Sequence, residues 1–200
     1  MLDGVYEVLA QLISSIEANL DVFIFWMGVL WSIQLVNFCL GRKLCVLGIH
    51  PRCWWGLPGV VFSPFLHVDF GHLLMNSVGL VVLGNLLSVH GVDYMLNIAV
   101  VSALIGGGLV WLFGRNMIHV GASGVVMGLT GGLCVVAYEQ NSMYAYFLAG
   151  LLFYFFEHLA VNLIPGEAGT SWEGHIFGFI GGMIAEHFHI NVLPFVASLN

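Results

Sequence analysis

Charge is scarce in this sequence. Only 8% of the 200 residues are Asp, Glu, Lys or Arg, against about 25% in a soluble domain. So few charges cannot clothe a globule in a solvated skin, which excludes an ordinary soluble protein and a disordered tail. Positive charge is scarcer still, with 4 basic residues against 11 acidic ones and a formal net charge of −7. No nucleic-acid partner is expected, because phosphate binding needs a basic face. Asp3, Glu7, Glu17 and Asp21 precede the first apolar run and no Lys or Arg does, so the positive start of a secretory signal is missing. Cysteine is limited to Cys39, Cys45, Cys53 and Cys134. Their spacing fits no metal site and they are too few for a disulfide scaffold. Cys45 and Cys53 can pair if their loop faces an oxidising compartment; the alternative is four small buried hydrophobes. Neither a metal nor a cofactor is expected.

What is abundant is apolar: 60% of the residues are hydrophobic. The lipid bilayer is the expected solvent and partner. A spanning helix needs roughly 20 apolar residues, so the chain has room for about six spans. The expectation is an all-α polytopic membrane protein, one domain over residues 1–200, with spans near 22–40, 71–89, 94–114, 120–138, 143–164 and 174–192. The last is the weakest, because Glu186 interrupts it. Residues 1–20 place Val5, Leu9, Leu12, Ile13 and Ile16 at roughly helical spacing, predicting a short surface helix ahead of the spans. Glycine is dense in three spans, at Gly106–Gly108, at Gly124, Gly128, Gly131 and Gly132, and at Gly178, Gly181 and Gly182. Apolar side chains gain nothing by leaving lipid, so small residues that admit close backbone approach predict a tightly packed bundle. The first loop, 41–71, holds Trp54 and Trp55 among three prolines, and is expected to pack at the membrane interface.

Polar side chains inside spans are functional candidates. His72 and Asn76 stand at i and i+4 and share a helix face, with His67 five residues earlier. Gly121-Ala122-Ser123-Gly124 opens the fourth span, and Glu173-Gly174-His175 opens the sixth, with Gly178 and Gly182 following on one face. The second, fourth and sixth spans start on the same side, so His72, Ser123 and His175 are expected at similar depth. A hydroxyl, an imidazole and hydrogen-bond donors at one depth support acyl transfer. Neutral histidine activates serine near pH 7, and Asn76, His72 and the N–H groups at the head of a helix can hold an oxyanion. Each member has a plainer reading. Gly-x-Ser-Gly is a common packing motif, His175 can be a satisfied core histidine, and His72 and Asn76 can bond backbone across helices. No carboxylate is placed to support the base. Glu173 is two residues from His175 and points elsewhere on a helix, and Glu157 is expected to pair or face water.

The motifs His67-x4-His72-x3-Asn76, Gly121-Ala122-Ser123-Gly124 and His175-x2-Gly178-x3-Gly182, in this order on the second, fourth and sixth spans, resemble the rhomboid family of intramembrane serine proteases in its basic six-span prokaryotic form. Pro64-Phe65-Leu66-His67 and the run Gly121–Leu129 are similar too, and the resemblance covers most of residues 41–190. It implies a six-transmembrane-helix rhomboid bundle in the bacterial inner (cell) membrane. It implies a Ser123–His175 dyad without an acid, an oxyanion hole from the Ser123 N–H, His72 and Asn76, and supporting roles for His67, Gly121, Gly124, Gly178 and Met127. The loop 165–174 becomes a cap, the fifth helix a lateral gate, and the substrates single-span membrane proteins cut where their helix unwinds.

The chain departs from the family at Met127, where an aromatic usually stacks on the base, at Ser88, where many members carry a glutamate, and at Trp54-Trp55, which stands near the place of a Trp-Arg pair. Orientation is contested: Arg42, Lys43, Arg52 and Arg115 all lie on the first and third loops, which the positive-inside rule places in the cytoplasm, whereas the family opens its site outward. The rival functions are a catalytically weak rhomboid-like protein that binds membrane clients, which the presence of both serine and histidine disfavours, and a haem or metal protein. His90, His158 and His187 do not make a convincing ligand pair for the latter.

Overall fold

The computed structural model describes residues 2–139, 145 and 171–193, with side chains from residue 6 onward. Five helices frame it: α1 (Leu2–Cys39), α2 (Phe70–Ser88), α3 (Val92–Phe113), α4 (Ser123–Glu139) and α5 (Trp172–His187). Among the described residues the sole extended pairing is an isolated bridge between Ile49 and His119. Among the described residues three helices are long and apolar enough to cross a membrane: α1 over its 34 residues Tyr6–Cys39, α2 with 19 and α3 with 22. The segments α4 and α5 have 17 and 16 residues. The predicted fifth span, 143–164 with Glu157 and His158, lies outside the described residues apart from Ala145, as does most of the loop 165–174.

The first helix differs from expectation. A separate surface helix over 1–20 does not form; α1 is one helix of 38 residues. At 1.5 Å per residue it is about 57 Å long, well beyond a hydrocarbon core of about 30 Å. Its acidic first half reads as surface in sequence, yet it packs. Val8 is 5% exposed and joins Leu86, Leu87, Leu133 and Val136 in one apolar cluster, and Ser15 Oγ lies 2.8 Å from Ser88 Oγ. Further along, Trp31 Nε1 donates to Ser77 Oγ at 3.1 Å.

The other predicted bounds move for local reasons. The fourth helix starts at Ser123 because Gly121 adopts φ +120°, outside the helical region. The last helix stops at His187. The chain beyond it is held by Asn97 of α3, whose Nδ2 donates to Ile190 O at 2.6 Å and whose Oδ1 accepts from Val192 N at 2.8 Å.

Backbone contact between α4 and α5 makes the centre. A Cβ added at Gly178 would lie 2.0 Å from Gly124 O, one at Gly182 would lie 1.8 Å from Gly128 O, and one at Gly131 would lie 2.2 Å from Phe179 O. The third helix enters the same junction, with Gly106 against Gly178 and Ser102 against Gly128. Helices this close gain dispersion along their whole backbones, the force that associates helices in lipid.

The loop between α1 and α2 is a chain of short turns fastened to the loop after α3. Ile49 and His119 exchange backbone hydrogen bonds of 2.9 and 3.0 Å. Arg52 Nη1 donates to Gly114 O at 2.7 Å, closing the carboxyl end of α3 with a cation where the helix dipole favours one. Trp111 Nε1 donates to Cys53 O at 2.8 Å. All four cysteines are free thiols, and Cys45 donates to His67 O. Trp54 and Trp55 point outward.

Candidate active site

The approach to Ser123 is built by the first loop. Gly121 N donates to Ser63 O at 2.9 Å, and Ala122 N donates to His67 Nε2 at 3.3 Å. His67 is itself fully buried, and its carbonyl accepts from Asn37 Nδ2 of α1 at 3.0 Å. These bonds set the backbone in the two residues before Ser123, which begins α4 half-buried. The N–H groups of this first turn have no intrahelical acceptor and point where an anion is favoured.

Accepting the Ala122 N–H requires His67 Nε2 to be unprotonated. Burial, helped by repulsion from His72, pushes the His67 pKa down to about 4. The folded state therefore resists protonation that the unfolded chain accepts near 6.5. The stability this provides is complete above pH 6.5 and is lost as pH falls towards 4, by about 3 kcal/mol at most. Melting in detergent at pH 7.5 and 4.5 should show a larger drop for the wild type than for His67→Gln; equal drops would refute this coupling.

From α2, His72 and Asn76 converge on Gly121. A Cβ there would lie 2.6 Å from His72 Cε1 and 3.7 Å from Asn76 Nδ2, so the absent side chain is what admits them beside Ser123. Asp69 caps α2 by accepting His72 N at 2.7 Å. Asn76 is buried, and its Nδ2 has no hydrogen-bond acceptor among the described residues. An amide kept dry and unpaired costs about 1–3 kcal/mol, a cost expected of a donor held for a transient partner.

His175 sits buried in the first turn of α5. A Cβ on Gly124 would lie 3.2 Å from Gly174 O. Ser123 and His175 are the immediate neighbours of these two residues, so they flank the point where the two helices approach. His175 is also near enough to His72 for their charges to interact. Ser123, His175, His72, Asn76, Gly121, Gly124 and Gly178 thus gather at one end of the bundle. Met127 is buried one turn below Ser123, and His67 supports from behind. A cavity of about 40 Å³ beside Ser123, bordered by Ser63, His119 and Ser171, has room for water. Among the described residues no group of His, Cys, Asp and Glu can hold a metal ion.

Sequence reasoning missed four residues here. Glu173, set aside as support for His175, pairs with Arg115, and His119 Nδ1 meets Ser171 Oγ at 2.6 Å. Each pair spans more than fifty residues, so no spacing rule finds it. The one available signal was the rarity of charge, which makes any acid at the head of a span notable.

Comparison with known proteins follows the same outline. The family model described as the Rhomboid domain matches residues 51–191. An uncharacterized protein of Mycobacterium bovis is 28% identical over 171 residues, covering 81% of this chain and 71% of its own length. An uncharacterized protein of Mycobacterium tuberculosis strain H37Rv matches to the same extent. One from Mycobacterium leprae is 29% identical over 81% of this chain and 68% of its own.

Proposed function

The chain belongs to the rhomboid family and is an integral membrane protein, and on that premise we propose that it is an intramembrane serine endopeptidase. Its substrates are single-span membrane proteins, cut in or near the membrane segment. The observation that carries this reading is the glycine contact between α4 and α5, which brings the first turns bearing Ser123 and His175 together beside an Asn76 amide that has no acceptor among the described residues.

In the first step His175 takes the Ser123 hydroxyl proton while Ser123 Oγ bonds to the scissile carbonyl carbon. The carbonyl oxygen becomes an oxyanion, held by Asn76 Nδ2, the His72 ring and the Ser123 N–H. Collapse breaks the C–N bond, and His175 returns the proton to the leaving amine. Water then repeats the sequence on the acyl-enzyme and frees the new carboxyl end. Only unwound backbone can enter, since a helix in lipid keeps its amides paired. Removing one oxyanion donor costs about 10²–10³ in rate, so Asn76→Ala should slow substrate cleavage by that factor with the protein still folded; an unchanged rate removes Asn76 from the site. The reading as a whole is tested with a fluorophosphonate on membranes holding the wild type. It predicts a covalent adduct mapped to Ser123, and a protein that folds but takes no label would be a client-binding relative instead.

A further inference from the structure

Two contacts join the loop after α3 to the first turn of α5, and neither belongs to the reacting groups. Arg115 Nη2 donates to Glu173 Oε2 at 3.0 Å, its Nε donates to Oε1, and its backbone N donates to Oε1 at 3.2 Å. The Glu173 side chain is 3% exposed and that of Arg115 is 48% exposed. The guanidinium also covers Trp172, with its carbon 5.7 Å from the ring centre. Beside this pair, His119 Nε2 lies 3.0 Å from Arg115 O, which can only accept, so Nε2 carries the proton. Burial favours the neutral ring, leaving Nδ1 to accept from the Ser171 hydroxyl. Ser171 Oγ in turn accepts from Gly174 N at 3.3 Å, capping α5. The same His119 is bridged through its backbone to Ile49.

The geometry is that of a clamp. The loop 114–122 ends in the residues that place Ser123, and its beginning grips the turn that carries His175. We infer that Arg115, Glu173, His119 and Ser171 are positioning residues, which fix the separation and orientation of the nucleophile and the base by tying both helix heads to one loop. This rests on the dyad proposed above. The clamp acts through α5 and touches no reacting atom. A misplacement of about 1 Å in such a pair can lower a rate about 100-fold.

The test labels wild type, Arg115→Gln, Arg115→Lys and Ser171→Ala with a fluorophosphonate and follows both the rate and the final fraction labelled. It is paired with hydrogen exchange at residues 172–177. The clamp predicts a rate lowered about 10- to 100-fold in Arg115→Gln and Ser171→Ala at an undiminished final fraction, faster exchange in that turn, and substantial recovery in Arg115→Lys, which keeps the charge. Loss of labelled fraction at an unchanged rate would reduce these residues to general stability and overturn the inference, as would unchanged rate and exchange. If the wild type takes no label, the protease reading fails by itself, and exchange still decides: an unaltered turn in both variants removes the clamp.

Discussion

Ser123→Ala should abolish the proposed hydrolysis, with a loss on the order of 10⁶ in turnover, as when the nucleophile of a serine protease is removed. The size follows from the chemistry left behind. Asn76, His72 and the helix-head N–H groups would still polarise a carbonyl, but no oxygen would be placed to attack it. His175→Ala should lose a similar amount, because a serine without its base is as inert as no serine. The double variant should then be no worse than either single one, the signature of groups that act as a unit. Removing one hydroxyl from a half-buried residue leaves the fold intact, so melting should hardly change. Cleavage of a reconstituted single-span substrate measures this, and residual cleavage within tenfold of wild type would assign the chemistry elsewhere.

The second large effect is on stability. Gly182→Ala places a methyl carbon 1.8 Å from Gly128 O. That obstacle is helix backbone, with no rotamer to escape into, so α4 and α5 must separate. Overpacking ordinarily costs 1–3 kcal/mol, and with backbone on both sides about 3 kcal/mol or more is expected. Separation at this level also draws the heads of the two helices apart, so activity should fall with stability. Gly108→Ala is the control. It too lies within an apolar helix, but nothing stands within 4 Å of its added carbon. Alanine favours helix over glycine by about 1 kcal/mol, so this variant should melt at or above the wild type. Melting curves in detergent compare the two, and equal behaviour would mean that the α4–α5 contact is not what holds the bundle.

The pattern of glycines was readable because small residues four apart mark one helix face, and the structure puts that face to α5. His72 with Asn76 was readable for the same reason. The continuity of α1 was not. Glu7, Glu17 and Asp21 suggested a surface segment, but nothing between Val5 and Gly28 breaks a helix, and Val8 and Ser15 find partners on α2 that lie more than seventy residues away. The start of α4 hinged on one positive φ at Gly121, which glycine permits without announcing. The Arg115–Glu173 and His119–Ser171 contacts depend on which loop ends meet, information that only the assembled bundle holds. Ser88, noted as a departure from the family, proves to be a partner of Ser15, so its hydroxyl does local packing work between α1 and α2.

The central claim is that the hydroxyl of Ser123 and the ring of His175 work as neighbours, and a chloroisocoumarin tests it most directly. Such a reagent acylates a serine and then unmasks an electrophile for an adjacent base. Peptide mapping of the inactivated protein should recover the segment with Ser123 bridged to the segment with His175. A bridge to His72 or His119 instead, or an adduct that never involves Ser123, would contradict the account.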